Sequence, residues 1–387
     1  MDFRMVGPGD EEARWLWDYC FEKKSDPFYR WYFSRFCQED NILAAYHGGK
    51  MAACLHLNPY ELALRGSVLP VSYIVGLGVM PEARGGAAGP LLAASLAEMR
   101  RRGHFVSIIM PARAGTYYPY QWEMCYHTLH YSVAPGDLAG LGAKWGEFRL
   151  AGAADAEALD DIYRSYVSRR HGYAIRRQAN WELLLAEHTL EDGRVYVVEN
   201  EGRAEGYLFF RIAEGRLIVR EMAYTGRQAQ QALLRFLYQH ASQARAVEWN
   251  APLDDTLHLL LADPKRAVNL EPLIAGRIVD VAKALAAVTY PAGVSGRVIL
   301  AVEDKLAPWN DGTFALAVAG GTGTVEALGE RPGGAVSCTV GGLTQLLFGR
   351  LNTAECAGLG RLTGDAAALA LLDAFFPKCS NYINEQY

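Results

Sequence analysis

Val71-Ser-Tyr-Ile-Val-Gly-Leu-Gly-Val-Met-Pro-Glu-Ala-Arg-Gly-Gly-Ala-Ala-Gly-Pro-Leu-Leu92 carries strand, turn and helix signals in unbroken order. Apolar and β-branched residues up to Val79 read as a strand, and Pro81 stops it. A loop of small residues, Arg84–Gly89, follows. A helix then begins near Pro90, with Leu92, Leu96 and Met99 on one face. A strand that feeds a glycine-rich turn into a helix N-terminus makes an anion site, because the unpaired first-turn amides and the helix dipole both favour negative charge. Gly85, Gly86 and Gly89 let backbone approach a phosphate, and Arg84 adds a fixed cation. The same turn also reads as a plain flexible connection. It is not a Walker loop, since no Gly-Lys-Ser/Thr follows. It is not the dinucleotide fingerprint, which needs GxGxxG and an acidic residue after a second strand.

Working outward, the N-terminal segment reads α, then β, then α. Glu11–Cys37 is aromatic-rich and mostly helical. Asn41–Tyr46 and Lys50–Leu57 are apolar runs split by His47-Gly48-Gly49, a hairpin signal, and Phe105–Met110 is a short buried strand. Pro and Gly around Ala134–Gly146 mark a boundary. The next unit, 147–288, has helices at Asp155–Ser168 and Gln228–Gln243 and strands at Arg194–Glu199, Gly206–Ile212, Leu217–Met222 and Ala246–Ala251. This order repeats that of unit 1–146, as if one fold occurred twice. The last unit, 289–387, is strand-rich (Arg297–Val302, Thr313–Val318, Thr322–Leu328, Ala335–Val340), then helical at Gly342–Phe348 and Gly364–Phe375, a mixed α+β order.

Bulk properties narrow the function classes. The chain has 387 residues, too many for one ordinary core. A net charge of −5 argues against nucleic acid or an anionic membrane surface as main partner and is compatible with a cationic substrate. No apolar run reaches transmembrane length, and Met1–Glu12 lacks the apolar core of a signal peptide. The seven cysteines are dispersed without a CxxC, which reads as reduced thiols in a cytoplasmic protein, with no metal expected.

Val79-Met-Pro-Glu-Ala-Arg84 followed by Arg84-Gly-Gly-Ala-Ala-Gly89 resembles the signature of the GNAT acetyltransferases, with Ala87 standing where that family has its first loop glycine. An alanine fits there if its φ stays negative. The three-unit layout, with Ala275-Gly-Arg-Ile-Val-Asp280 before the last unit and Ala307-Pro-Trp-Asn-Asp-Gly312 within it, narrows the resemblance to the Eis (enhanced intracellular survival) family. The resemblance implies two tandem GNAT folds, α/β in class, followed by a sterol-carrier-protein-like α+β domain. Tyr224-Thr-Gly-Arg-Gln-Ala-Gln-Gln231 lies where the second GNAT fold would carry its phosphate loop and lacks the glycines, so the first fold alone is expected to bind CoA.

The implied reaction is acetyl transfer from acetyl-CoA to a primary amine (a polyamine, an aminoglycoside or a lysine side chain) directly within a ternary complex. Leu77, Gly78 and Val79 would face the pantetheine, and Arg84, Gly85, Gly86, Ala87, Ala88 and Gly89 the pyrophosphate. Gly76 and Gly78 suit either a strand bulge or close helix packing. Tyr117-Tyr-Pro-Tyr-Gln-Trp122 holds the position of the family's general acid, with Tyr117 first and Tyr118 as the alternative, because Gln121 replaces a glycine. The C-terminal carboxylate, here on Tyr387, is the implied base. Glu22, Asp26 and Trp31 would wall the amine pocket, although a solvated acidic face with a core tryptophan reads equally well. The resemblance also implies a homo-oligomer, with a hexamer among the forms it allows. The competing reading is a catalytically weak acyl-CoA or lipid-binding protein.

Overall fold

The computed structural model describes residues 1–7 and 9–386. The N-terminal elements are β1 (Asp2–Met5), α1 (Glu11–Cys20), α2 (Pro27–Trp31), β2 (Ile42–His47), β3 (Lys50–Leu64), β4 (Ser67–Val79), α3 (Ala88–Arg101), β5 (Val106–Ile109) and β6 (Glu123–Val133). Then come β7 (Glu147–Leu150), α4 (Ala156–Val167), β8 (Tyr173–Ala174), α5 (Gln178–Leu190), β9 (Arg194–Asn200), β10 (Arg203–Ala213), β11 (Arg216–Tyr224), α6 (Arg227–Tyr238), β12 (Ala246–Ala251) and β13 (Val268–Ile278). The chain closes with α7 (Val281–Ala287), β14 (Gly296–Glu303), β15 (Gly312–Ala319), β16 (Thr322–Leu328), β17 (Val336–Thr339), α8 (Val340–Leu347), α9 (Thr353–Gly358), β18 (Leu362–Thr363) and α10 (Ala366–Phe375). These elements divide into two compact units. One gathers Met1–Tyr126, His171–Ile175 and the chain from Leu273 onwards, and the other holds His127–Arg170 and Arg176–Pro272.

In the first unit β1 to β4 pair antiparallel in sequence order. β5 joins β4 in parallel, from Val71↔Val106 to Ile74↔Ile109, and the end of β13 pairs with β5 from Ala275↔Ile109 to Ile278↔Val106. The amphipathic α3 buries Leu91, Leu92, Leu96 and Met99 against Leu55, Leu57, Ile74 and Ile109. A second sheet, ordered β16-β15-β14-β17-β18, belongs to the same unit. One apolar core joins Val71, Tyr73 and Val106 to Leu300, Leu316, Leu343, Phe348 and Phe376, so the C-terminal sheet and the buried α8 pack on the N-terminal sheet. Arg65 caps the C-terminal end of α8 by donating to the Leu346 and Leu347 carbonyls at 2.7 and 3.0 Å. Fully buried Arg277 pairs with Asp304 at 2.6 Å.

The second unit repeats the scheme. β9, β10 and β11 are antiparallel, β12 joins β11 in parallel, and β7 adds to β9. The last rungs of β6 pair with β12 from Leu129↔Ala251 to Val133↔Val247. α6 buries Ala229, Leu233 and Leu237 in a core with Leu208, Leu217 and Val247. In both units antiparallel strands lead into a helix and then a parallel strand, which is the repeat legible in the sequence. Among the described residues no helix is long and apolar enough to cross a membrane, and no group of three or more His, Cys, Asp or Glu could hold a metal ion.

Candidate active site

The site is built from a defect in β4. Ladder pairing with β3 runs regularly to His56↔Val75 and resumes at Cys54↔Gly78, so Gly76 and Leu77 together face Leu55 alone and form a bulge. Gly76 has φ +62, and a Cβ there would lie 2.4 Å from the Trp17 ring. At Gly78 a Cβ would come within 2.9 Å of Leu16. Both readings of these glycines therefore hold at once: the strand bulges, and α1 packs on it too closely for a side chain. The described β4–β5 ladder ends at Ile74↔Ile109, whereas β4 runs on to Val79. Past that rung the two strands part, and the edge of β4 is open.

At the end of the strand, Pro81–Ala83 makes a single 3₁₀ turn, and the chain reaches α3 through Arg84–Ala87. Gly85 has φ +85, and a Cβ on Gly85 or Gly86 would meet nothing within 4 Å, so this backbone is open to an approaching group. Ala87 has φ −90, a conformation open to any residue, and it is buried beneath the loop. That answers the question the alanine posed. The helix starts at Ala88, two residues before the expected Pro90, because Ala87 is already right-handed. Gly89 is spaced for packing: a Cβ would sit 3.1 Å from the Tyr120 ring. The Arg84 guanidinium lies 5.8 Å over Tyr19. Val79 pairs with Ala53 in the ladder.

Between the parted strands opens a cleft of about 430 Å³. Tyr73 to Leu77 of β4 and Ile109 to Ala112 after β5 form two of its sides. Trp17, Phe21, Glu22, Phe28 and Tyr117 complete the lining. Trp17 stacks on Tyr32 at 4.4 Å and donates from Nε1 to Glu22 Oε2 at 2.8 Å, which holds that carboxylate at the wall. Of the two tyrosines left open by the sequence, Tyr117 lines the cleft. Tyr118 is 45% exposed and is not among the lining residues. Burial pushes the Tyr117 phenol up to about 12. Asp26 and Trp31 also lie outside the lining. Asp26 caps α2 by accepting from the Phe28 amide at 2.7 Å, and Trp31 is buried against Phe28 and Phe36.

The expected base, Tyr387, lies outside the described residues. The segment leading to it is well placed. Asn381, Tyr382, Ile383 and Asn384 are buried. His171 holds this tail from both sides, its N–H donating to the Ser380 carbonyl and its carbonyl accepting from Tyr382 N–H. Asn381 donates to the Cys125 carbonyl at 3.0 Å. Tyr73 Oη, in the cleft wall, donates to the Glu385 carbonyl at 2.9 Å. The sequence reading did not single out Trp17 or Tyr73. Alternation would have pointed to Tyr73, which shares its strand face with Val71 and Val75, before the bulge turns Leu77 to the Ile74 side.

The second unit keeps a bulge, with Arg220 of β11 unpaired between Val219↔Phe210 and Glu221↔Phe209, but it lacks the glycine turn and the open edge. Only Thr225 and Gly226 separate β11 from α6, so no loop surrounds that helix start. Just beyond the last β11–β12 rung, Val219↔Trp249, buried Glu221 pairs with Arg176 at 2.6 Å and accepts from Tyr207 Oη at 2.5 Å.

Comparison with known proteins agrees with this geometry. Residues 10–125 and 172–278 each match an acetyltransferase (GNAT) domain family, and residues 281–384 match a sterol carrier protein domain. The chain is therefore a tandem GNAT protein with a C-terminal sterol carrier domain. An uncharacterized N-acetyltransferase of Streptomyces avermitilis is 30% identical over 188 residues, 44% of this chain and 45% of that relative. The chain thus spans about half the length of the curated relatives it matches. A probable N-acyltransferase from Enterococcus faecalis shares the fold with a TM-score of 0.90 at 22% identity, over 100% of this chain and 99% of that one. Eis1 from Mycobacterium abscessus does so at 0.77 and 21% identity, over 100% of both chains. In domain content and order the chain carries two GNAT domains followed by a sterol carrier protein domain, and its fold is similar to that of Eis1.

Proposed function

We propose that the first GNAT domain, within residues 1–146, transfers an acetyl group from acetyl-CoA to a primary amine in a ternary complex. Residues 147–288 and 289–387 form the second GNAT-like domain and the sterol-carrier-like domain. The observation that carries the reading is the bulge at Gly76-Leu77, which opens the edge of β4 onto a cleft and leads within ten residues to a bare glycine turn at a helix start.

The chain's residues fit an acyl-CoA. Gly85 and Gly86 leave a cradle free of side chains, and the first-turn amides of Ala88 and Gly89 have no acceptor inside the helix. With Arg84 and Ala87 they would hold the pyrophosphate, and the backbone of Leu77, Gly78 and Val79 would run beside the pantetheine. Acetyl-CoA brings the activated thioester. Tyr117 Oη keeps its proton at every pH where an amine is partly neutral and donates it toward the departing sulfur. Glu22 anchors the incoming ammonium, and the carboxylate of Tyr387 accepts its proton. In the second domain the Arg176–Glu221 pair fills the place where β4 is open in the first, which supports a non-catalytic role there.

Thiol release from acetyl-CoA, measured against a panel of primary amines, tests the reading. CoA binding without amine-dependent release would replace it with a non-catalytic acyl-CoA-binding function. Arg84→Ala is expected to weaken acetyl-CoA binding by about 1–3 kcal/mol, the scale of a lost charge-assisted contact. Unchanged affinity by calorimetry would remove the pyrophosphate assignment.

A further inference from the structure

We propose that the amine this cleft takes is a monoamine with an aromatic or aliphatic body, and that polycations are poor substrates. The inference rests on the reading of the cleft as the acetyl-transfer site. Of its fourteen lining residues among those described, Glu22 is the single acidic side chain, and none is Asp, Lys, Arg or His. The Glu22 carboxylate is set among Trp17, Phe21 and Phe28, with Trp17 itself fixed against Tyr32 and Phe33 at 4.4 and 5.5 Å. The carboxylates four residues to either side are both engaged, Asp18 accepting from the Lys24 amide and Asp26 capping α2. One ammonium therefore finds a carboxylate and aromatic faces. Beyond Glu22 and the Tyr387 carboxylate proposed as the base, any further ammonium would be desolvated against Ile74, Ile109, Met110 and Pro111 without a counter-charge. The volume, about 430 Å³, lies at the lower end for ligand pockets and suits a small body better than a linked set of sugars.

The test compares phenethylamine and tryptamine with spermidine, tobramycin and a lysine peptide by acetyl-CoA thiol release. The arylalkylamines are expected to exceed the polycations in kcat/KM by about tenfold or more. Glu22→Gln is expected to raise KM for phenethylamine about tenfold while the acetyl-CoA Kd stays within twofold. A preference for spermidine or tobramycin, or an unmoved KM in Glu22→Gln, overturns this inference and leaves the acetyltransferase reading standing. No acetylation of any amine, with CoA still bound, overturns both.

Separate contacts carry a second inference: Gln121 is a positioning residue through which the sterol-carrier-like segment sets the Tyr117 phenol. Gln121 sits at φ 62 and ψ 26, the left-handed region that a residue with a side chain seldom adopts. Its side chain is nearly buried and spans to another segment, with Nε2 donating to the Glu303 carbonyl at 3.2 Å and Oε1 accepting from Lys305 N–H at 3.3 Å. The next residue, Trp122, is fully buried under the Arg277 guanidinium at 5.0 Å, and Arg277 pairs with Asp304. Asp304 in turn accepts from the Leu306 and Ala307 amides. Gln121 and Trp122 close the turn that starts at Tyr117, through Gln121 N–H to the Tyr118 carbonyl and Trp122 N–H to the Tyr117 carbonyl. The turn is thus tied at its end to Glu303–Ala307.

Gln121→Gly isolates the tie, since glycine holds the left-handed backbone without strain. The variant is expected to lose about tenfold in kcat while KM for acetyl-CoA stays within twofold, as displaced catalytic groups do. In a Tyr117→Phe background the same change is expected to add nothing, because it acts through the phenol. An unchanged kcat in Gln121→Gly, or losses that multiply in the double variant, would overturn the assignment.

Discussion

Tyr117→Phe is expected to lower kcat by about 10²-fold or more and to leave acetyl-CoA affinity nearly intact, the pattern of a proton donor that acts only in the transition state. Phenylalanine keeps the ring that packs on the core beneath the cleft and removes one oxygen, so the cleft keeps its shape. The wild-type pH profile bears on the same group. The phenol is pushed up to about 12 by burial, so it stays protonated from neutral pH to well past the tyrosine value in water. Rate should therefore rise with pH as the amine loses its proton, and Tyr117 should contribute no falling limb below about pH 11. If Tyr118→Phe instead carries the loss and Tyr117→Phe is silent, the exposed tyrosine is the donor and the turn must rearrange when substrate binds.

Much of this site was legible in one segment. Val71–Leu92 contains the strand, its glycine bulge, the turn and the helix in unbroken order, so local chemistry alone placed them. The register of the bulge, with two residues of β4 facing one of β3, depends on pairing and is invisible in a single strand. Elements made by long-range pairing were less legible. β6 alternates too weakly to stand out in the sequence, and β13 is interrupted by Pro272. The two strands serve different units: the end of β6 pairs with β12 and the end of β13 with β5. α5 gives little periodic signal either; its Trp181, Leu184, Leu185 and His188 face inward, but its hydrophobicity is spread around the helix. α6 stops at Tyr238, short of the expected Gln243, where the chain goes into turns about His240. Around the cleft, composition suggested an acidic wall of Glu22 and Asp26. Folding separates them, because an Asp directly before Pro27 is an N-cap and spends its carboxylate there.

Loss of the C-terminal tail is expected to have the other large effect. Deleting Asn384–Tyr387 should cut kcat by about 10²-fold or more while acetyl-CoA binding stays close to wild type, since the bonds that hold the tail lead to His171, Cys125 and Tyr73. The tail is ordered by specific bonds: His171 brackets Ser380 and Tyr382, Asn381 reaches Cys125, and Glu385 accepts from Tyr73 in the cleft wall. From Glu385 to Tyr387 is at most about 7 Å of extended chain, so a group at position 387 is within reach of the cleft. Two single changes separate a packing role from a chemical one. Removing Tyr387 alone keeps the Glu385–Tyr73 bond and draws the carboxylate back by about 3.5 Å. Tyr387→Phe keeps both the carboxylate and a ring. If the carboxylate is the base, the first change should be nearly as damaging as the longer deletion and the second mild. Should the enzyme without Tyr387 keep full activity, the proton must leave by another group. Glu22 is then the residue to test, as the one acidic side chain in the lining among the described residues.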